Sequence, residues 1–333
     1  MQIGPDRFAM LTYLLRRFTP KKIARCVLLT ALCIVSAKIC LLWLRSPGSC
    51  RGYPKAAALN ATPAQKLPSV EFYIRLLSTR APFRTDLFGP QITATELRAI
   101  LRLLWTFLDL CEQRGLPALL YGNSLLGSYR HHGVVPWDDS VSLLMKGADQ
   151  GKLADALAGH ADLRLTQAGS WRVWSQSVCF RWVQRGCWPF IELSFYSLQA
   201  GHVQVSQAGE TSGVRLYPLE LTLPPHKRPF MGRWVDSPRD ALGFLALAAE
   251  ASASCRSLAY SHQLEAPLAP ETIGCEKLAP VYPFAVRAAD SAPSCRGVLE
   301  TLKFPDSEPM YTVAVSEPLD ALNADYSTLR LRQ

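Results

Sequence analysis

Two adjacent carboxylates, Asp138 and Asp139, stand just downstream of a glycine-bearing turn, Tyr121-Gly122-Asn123-Ser124-Leu125-Leu126-Gly127. The two features suit one another chemically. Free backbone N–H groups at a helix N-terminus favour a phosphate, and a side chain at Gly122 is expected to crowd both backbone and ligand. A strand carrying hard oxygen ligands beside that turn suits magnesium, which takes one or two carboxylates plus substrate phosphate. A turn for phosphate beside a strand for metal is the layout of a nucleotidyl- or phosphoryl-transfer site. Alternate strand residues share a face, so Asp138, Ser140 and Ser142 are expected on one side and Asp139 and Val141 on the other. Taken alone, the same residues also read as an ordinary glycine turn followed by a solvated aspartate pair.

The elements that must hold these groups can be read from pattern. Thr93-Ala94-Thr95-Glu96 has the form of a capping box. Leu97, Ile100, Leu101, Leu104, Leu108 and Cys111 then recur at helical spacing, and Gly115 and Pro117 end the helix. Residues 118–121 suit a buried strand, 124–130 a short helix closed by Gly133, and 138–145 a second strand. Residues 147–159 read as a helix, and 171–182 and 190–196 as strands. Residues 202–206 and 214–216 suit a hairpin turning at 209–213. Residues 241–251 read as a helix. Beyond Ser254 the chain is rich in Pro, Ala and Ser, and only 310–315 reads clearly as a strand. The fold class this predicts is α/β: a small mixed sheet flanked by helices.

The formal net charge of +9 is concentrated at the amino terminus. The first fifty residues hold Arg7, Arg16, Arg17, Lys21, Lys22, Arg25, Lys38 and Arg45 against Asp6 alone. The remainder is nearly neutral, which argues against a nucleic-acid partner, since that needs Lys and Arg clustered on a folded face. Residues 26–44 are apolar on all sides except Lys38. At about 1.5 Å per residue they cross a hydrocarbon core of roughly 30 Å. The run is long, starts late and lacks a small-x-small cleavage site, which favours an anchor over a cleaved signal peptide. Basic residues before the span and not after it place the amino terminus in the cytosol. The expected organisation is a cytosolic basic tail at 1–25, a transmembrane signal anchor at 26–44 and a luminal stem at 45–92. A folded domain follows at 93–250, then a C-terminal extension at 251–333. This describes a single-pass type II protein of the Golgi or ER membrane with its domain in the lumen.

Cys26, Cys33 and Cys40 fall in the span. Cys50, Cys111, Cys179, Cys187, Cys255, Cys275 and Cys295 would be luminal, where disulfides persist. Seven is odd, so at least one is expected to be free or paired between chains. Cys179 and Cys187 flank an expected hairpin and could bridge; a metal site there would require His partners that the segment lacks. Asn60-Ala61-Thr62 is a glycosylation sequon in the expected stem, so Asn60 is a candidate glycan acceptor.

The stretch 121–142 resembles the signature of the LicD/fukutin family of nucleotidyltransferase-fold proteins. The pattern is a G-x-[ST]-L-L-G turn, an Arg-His pair, a Gly and two apolar residues, then Pro-Trp and an acidic cluster. Gly122, Ser124, Leu125, Leu126, Gly127, Arg130, His131, Gly133, Pro136, Trp137, Asp138 and Asp139 fit it. Phe190-Ile191-Glu192-Leu193 resembles the strand that supplies a further acid. Tyr217-Pro218-Leu219, Pro229-Phe230-Met231-Gly232, Pro238 and Leu245 resemble a third block. Together the resemblance covers about residues 95 to 250.

The resemblance implies a nucleotidyltransferase-type sheet and transfer of a phosphorylated alcohol, of the ribitol phosphate or phosphocholine type, from a CDP-linked donor to a glycan. It implies magnesium, or manganese, between the donor diphosphate and the acidic strand, and attack by a sugar hydroxyl with release of CMP. Asp138, Asp139 and Glu192 become the candidate catalytic residues. Gly122, Asn123, Ser124, Arg130 and Trp137 become candidate donor-binding residues. The chain departs from the pattern where the family's third and fifth acids form the metal pair, because here those positions are Ser140 and Ser142. Asp138 and Glu192, with Ser140 and Ser142, are left as the candidate metal ligands.

Other residues read two ways. Arg130 could neutralise donor phosphate or be an exposed helix-end arginine. His131 and His132 could supply a base or merely cap the helix. Trp137 could stack on cytosine or pack behind the site. His226-Lys227-Arg228 could meet an anionic substrate or form a solvated loop. The departure at 140 and 142 leaves a second functional reading: a catalytically inactive relative that acts as a scaffold for a glycan or a partner glycosyltransferase. A membrane adaptor using the fold only as support is a third.

Overall fold

The computed structural model describes residues 66–78, 86–167, 170–183, 186–206, 214–248, 254–289 and 298–315. All of them fall within one compact unit, 54–333. The expected span 26–44, Asn60, Cys50 and Cys295 lie outside the described residues. Among the described residues no helix is long and apolar enough to cross a membrane.

Helix α1 (Val70–Ser78) packs on α2 (Ala94–Arg114). It falls within the segment expected to be stem. α2 begins with the capping box: Thr93 Oγ1 accepts from Glu96 N at 3.3 Å, and the Glu96 carboxylate accepts from Thr93 N at 2.7 Å. Its apolar face, Leu97, Ile100, Leu101, Leu104 and Phe107, is buried in the main core. Gly115, at φ 63°, ends it in the left-handed conformation that glycine adopts without a Cβ clash.

Strand β1 (Ala118–Leu120) feeds α3 (Gly122–His131), and β2 (Val141–Lys146) follows. A 3-10 turn at Gly147–Asp149 leads into α4 (Gln150–Ala158). Then come β3 (Leu163–Thr166), β4 (Trp171–Ser175), β5 (Arg181–Val183), β6 (Gly186–Trp188) and β7 (Phe190–Gln199). β8 (His202–Ser206) and β9 (Val214–Pro218) complete this half. The central sheet runs β1-β2-β7-β4-β3, with β8 on β7 and β9 on β8. β2 and β7 are parallel, and every other pair in the sheet is antiparallel. This is the mixed sheet with flanking helices that the pattern predicted.

Two expectations need correction. The segment 138–145 is not all strand: pairing starts at Val141, and Asp138 to Ser140 form an irregular approach. Asp138 N instead donates to Val135 O at 2.9 Å, and Asp138 Oδ1 accepts from Ser140 N at 3.0 Å, so the chain turns before it extends. The segment 171–182 is likewise two strands. β5 leaves the central sheet to pair with β6, in a hairpin closed by the disulfide Cys179–Cys187.

The chain continues through α5 (Leu219–Thr222), the hairpin β10 (His226–Phe230) and β11 (Arg233–Ser237), and α6 (Ala241–Leu247). Beyond it, β12 (Ser254–Arg256) pairs with β15 (Thr272–Gly274), and β13 (Tyr260–Ser261) with β14 (Ala266–Pro267). A disulfide, Cys255–Cys275, staples the first of these pairs. β16 (Phe284–Ala289), β17 (Val298–Lys303) and β18 (Tyr311–Val315) make a three-stranded antiparallel sheet. Cys111 is free and buried.

The segment after 250 is joined to the core by charge. Glu300 is wholly buried and accepts from Arg228 Nη2, Arg287 Nε and His132 Nε2, each at 2.9 Å. The Arg287 guanidinium also lies 3.5 Å from the Tyr129 ring centroid and donates to the Tyr129 carbonyl. Two guanidinium groups hold Glu300 well below the usual carboxylate range despite the opposing effect of burial.

Candidate functional site

The site is assembled where β1 ends and β2 begins. Tyr121 N donates to Ser142 O at 3.1 Å, and Ser142 N donates to Ser124 Oγ at 2.9 Å. Ser124 is buried, and its hydroxyl ties the first turn of α3 to β2. Gly122 opens α3 at φ +52°, a left-handed conformation in which a Cβ would meet nothing within 4 Å. Its glycine serves backbone conformation, not the close approach expected from the sequence. The space-demanding glycine is Gly127, where a Cβ would lie 2.3 Å from Gly133 O.

Asn123, one residue into α3, hydrogen-bonds the Asp138 carboxylate, which links the turn to the acids. Ser140 donates to Asp138 Oδ1 from its hydroxyl as well as its backbone, both at 3.0 Å. Asp138 is buried, and that burial raises its pKa, with Asp139 adding to the shift; His262, Ser140 and Asn123 oppose it. Asp139 is buried too but behaves oppositely. Burial pushes it up, yet its partners outweigh that and hold it below the ordinary value. Those partners are the His262 Nδ1–H at 2.9 Å on Oδ1, and the Ser261 hydroxyl at 2.9 Å and Gln263 N–H at 3.0 Å on Oδ2.

His262 is the residue that sequence reasoning missed. Its burial favours the neutral ring, but the hydrogen bond to Asp139 and the charges of Asp139, Asp138 and Glu192 raise its pKa. Its Nε2 lies 3.8 Å from Glu192 Oε2. Glu192 sits on β7 directly across the parallel pair from Ser142. Unlike the two aspartates, whose side chains are sealed in, Glu192 keeps 30% of its side chain in solvent. Asp138, Asp139 and His262 each bring one ligand atom within 4.8 Å of the others. The partly exposed mouth is therefore formed by Gly122, Asn123, Ser140, Ser142, Glu192 and His262.

Several sequence candidates are placed elsewhere. Arg130 is buried, and its guanidinium donates to Ser254 O at 3.2 Å and towards Cys255 Sγ at 3.6 Å. Trp137 is buried against Phe88 and Tyr282, with its N–H on Arg256 O at 2.9 Å. Both clamp the segment after 250 onto the motif. His131 packs on Phe284 and bonds Pro283 O at 2.8 Å, and His132 is held by Glu300 and Tyr311. The basic triplet 226–228 is strand β10 and not a loop, with Lys227 paired to Asp236 at 3.0 Å and Arg228 to Glu300.

The donor set can hold a divalent cation. Magnesium and manganese accept as few as one or two carboxylates when substrate phosphate completes the shell. Asp138 and Asp139 would supply the carboxylates and His262 a nitrogen, the latter better suited to manganese than to magnesium. Such an ion would neutralise and polarise a phosphate bound beside it.

No curated protein matches the chain. Residues 115–240 match the family model described as LicD/FKTN/FKRP, nucleotidyltransferase domain. The matched segment contains the turn, both aspartates, both serines and Glu192, whereas Ser261, His262 and Gln263 lie outside it. Residues 115–240 are thus a LicD/fukutin-family domain, the domain type of phospho-alcohol transferases.

Proposed function

We propose that this protein is a luminal, membrane-anchored transferase that moves a phosphorylated alcohol from a CDP-linked donor to a glycan. The observation that carries the reading is convergence. The α3 turn at Gly122 and Asn123 meets Asp138, Asp139 lies beside Asp138, and His262 joins that pair to Glu192. The α3 N-terminus favours the donor phosphate. Glu192, the carboxylate that solvent reaches, would take the proton of the acceptor hydroxyl as it attacks phosphorus and CMP departs. Asp139, fixed by three donors, holds His262 and its charge beside Glu192. The anchor at 26–44 would place this chemistry at the Golgi or ER membrane, facing glycans.

The test is CMP release by the full-length protein from CDP-ribitol and CDP-choline, with a glycan acceptor and manganese or magnesium. Wild-type turnover that Glu192→Gln abolishes is the expected result. Unchanged turnover in Glu192→Gln removes the assigned base.

One observation favours a second reading, a non-catalytic relative that holds a glycan or a partner glycosyltransferase. Both oxygens of Asp139 are taken by protein donors, and the two positions that carry acids in the family are Ser140 and Ser142. That reading expects CDP or glycan binding with no CMP release under any of these conditions.

A further inference from the structure

The hairpin that carries His262 is too short to hold itself in place. β13 and β14 pair over two residues each, and the tip between them spans 262–265. A ribbon of that length has no stability of its own, so the position of His262 depends on what the tip touches. Leu264 is 57% exposed and a poor anchor. Polar ties hold the tip instead: Ser261, His262 and Gln263 on Asp139, and the Gln263 side-chain amide on Glu96 Oε1 at 3.0 Å. At the far end of the tip Glu265 Oε1 accepts from Arg172 Nη1 at 2.7 Å. We propose that Arg172 is a positioning residue of this site: through Glu265 it clasps the hairpin and so holds His262 between Asp139 and Glu192. The clasp deepens the transferase reading, and rests on it for what His262 does there.

The strand order puts this arginine in reach. Arg172 on β4 and Ser142 on β2 are the Cα partners of Glu192 on its two sides, so the three side chains rise from one face of the sheet. Among the described residues Arg172 makes no ion pair with Glu192; the guanidinium goes to Glu265 and leaves the Glu192 carboxylate to His262. The guanidinium carbon lies 4.1 Å from the Phe190 ring centroid, and the Phe190 and His262 rings meet edge-on at 5.9 Å. Phe190 thus touches both the clasp and the group that the clasp positions. Arg172 belongs to the matched segment 115–240 and Glu265 does not, so the pair ties the family domain to the segment that brings His262.

The pair is built to hold. The two side chains are only 6% and 12% exposed, so salt and water screen them little. Removing either partner leaves the other charge largely buried and uncompensated. Glu265 also sits at φ 49°, a left-handed conformation that a residue with a side chain keeps only where its surroundings hold it. Loss of the pair therefore frees the turn as well as the charge.

The experiment uses full-length protein in phosphatidylcholine nanodiscs. Hydrogen–deuterium exchange reads the hairpin, which the Leu268 N–H to Ala259 O bond closes, and electron paramagnetic resonance reads added Mn2+. Arg172→Gln and Glu265→Gln should each speed exchange across 259–268 about tenfold or more, with β2 and β7 unchanged. The double variant should be no faster than the faster single, because both changes remove one contact. Arg172→Lys keeps the charge and should exchange more slowly than Arg172→Gln. Arg172→Gln should weaken Mn2+ binding as His262→Ala does, and add nothing in a His262→Ala background. Glu265→Gln, at a turn, carries the test if Arg172→Gln does not fold. Unchanged exchange at 259–268 overturns the proposal. Faster exchange throughout β2 and β7 overturns it too, since the pair would then be a general support. A further loss of Mn2+ affinity when Arg172→Gln joins His262→Ala also overturns it, because Arg172 would then act on the ion without His262. A wild type that binds no Mn2+ removes the cation site on which the transferase reading draws, and the exchange pattern alone then upholds or overturns the clasp.

Discussion

Ser142 and Glu192 are Cα partners across the parallel β2–β7 pair, a hydroxyl facing the one carboxylate of the site that solvent reaches. Replacing both serines restores the acids of the family pattern. Ser140→Asp with Ser142→Asp should crowd like charges around Asp138 and Glu192, so the double variant should melt lower than wild type in EDTA. Millimolar manganese or magnesium should recover the loss, because an ion that binds only the folded state stabilises it by mass action. Equal gains in wild type would show that Asp138, Asp139, Glu192 and His262 already make a competent cation site. No gain in either protein would mean that this mouth takes no ion.

Two glycines of the motif should respond differently to the same change. Gly127→Ala drives a methyl into the Gly133 carbonyl and the Val135 nitrogen, at 2.3 and 2.7 Å. A loss of about 3 kcal/mol or more is expected. Gly122→Ala meets open space and suffers only its positive φ, at about 1 kcal/mol. Guanidinium midpoints of the two variants should therefore separate clearly; coincident midpoints would mean that the α3 turn is packed otherwise.

Glu300→Gln should be among the most damaging single changes in the chain. It leaves Arg228 and Arg287 buried without the one carboxylate they share, at about 3–5 kcal/mol. The exposed pair Arg233–Asp109, at 2.7 Å, offers the contrast. Asp109→Asn should cost about 0–1 kcal/mol. Denaturant titrations of both variants check the ordering.

Acid should loosen the fold well before carboxylates titrate. Burial chiefly pushes the His131 pKa down to about 3, with Arg130 and His132 adding to the shift and the Pro283 carbonyl opposing it. His132 is lowered as well, again mainly by burial. A depressed histidine contributes stability that is whole above the ordinary value of about 6.5 and lost as pH falls below it. Each such group adds a slope approaching about 1.4 kcal/mol per pH unit. Stability should thus fall between pH 7 and pH 5, with His262 working in the opposite direction because its pKa is raised. His131→Phe keeps a ring against Phe284 and should flatten that slope even if it costs stability at pH 7. An unchanged slope would remove His131 as the cause.

The first half of the fold was legible because its signals are local. The capping box at Thr93 and Glu96, the turn at Gly122 and the alternation of β7 each speak through neighbours in sequence. Asp138 and Asp139 were found for the same reason. His262 could not be, since its partners Asp139 and Glu192 are reached only across tertiary structure. The strands after 250 were hidden by their own interior: β16 and β17 point Arg287 and Glu300 inward, which breaks the apolar alternation that marks a strand. Arg130 and Trp137 looked like ligand groups because their packing partners, Ser254 and Arg256, lie in that unread segment.

The buried Glu300 also sets the order of events at the ribosome. Arg228 emerges long before β17, yet its buried counter-charge, Glu300, arrives only with that strand. Until then the β10 hairpin carries a cation that is costly to bury unpaired, so closure of the motif domain is expected to wait for β17. A stop codon anywhere ahead of Glu300 would strand the nascent chain at that stage, with the family segment complete in letters and unable to close. Fragments cut to 115–240 should fail for the same reason, and expression boundaries belong beyond β18.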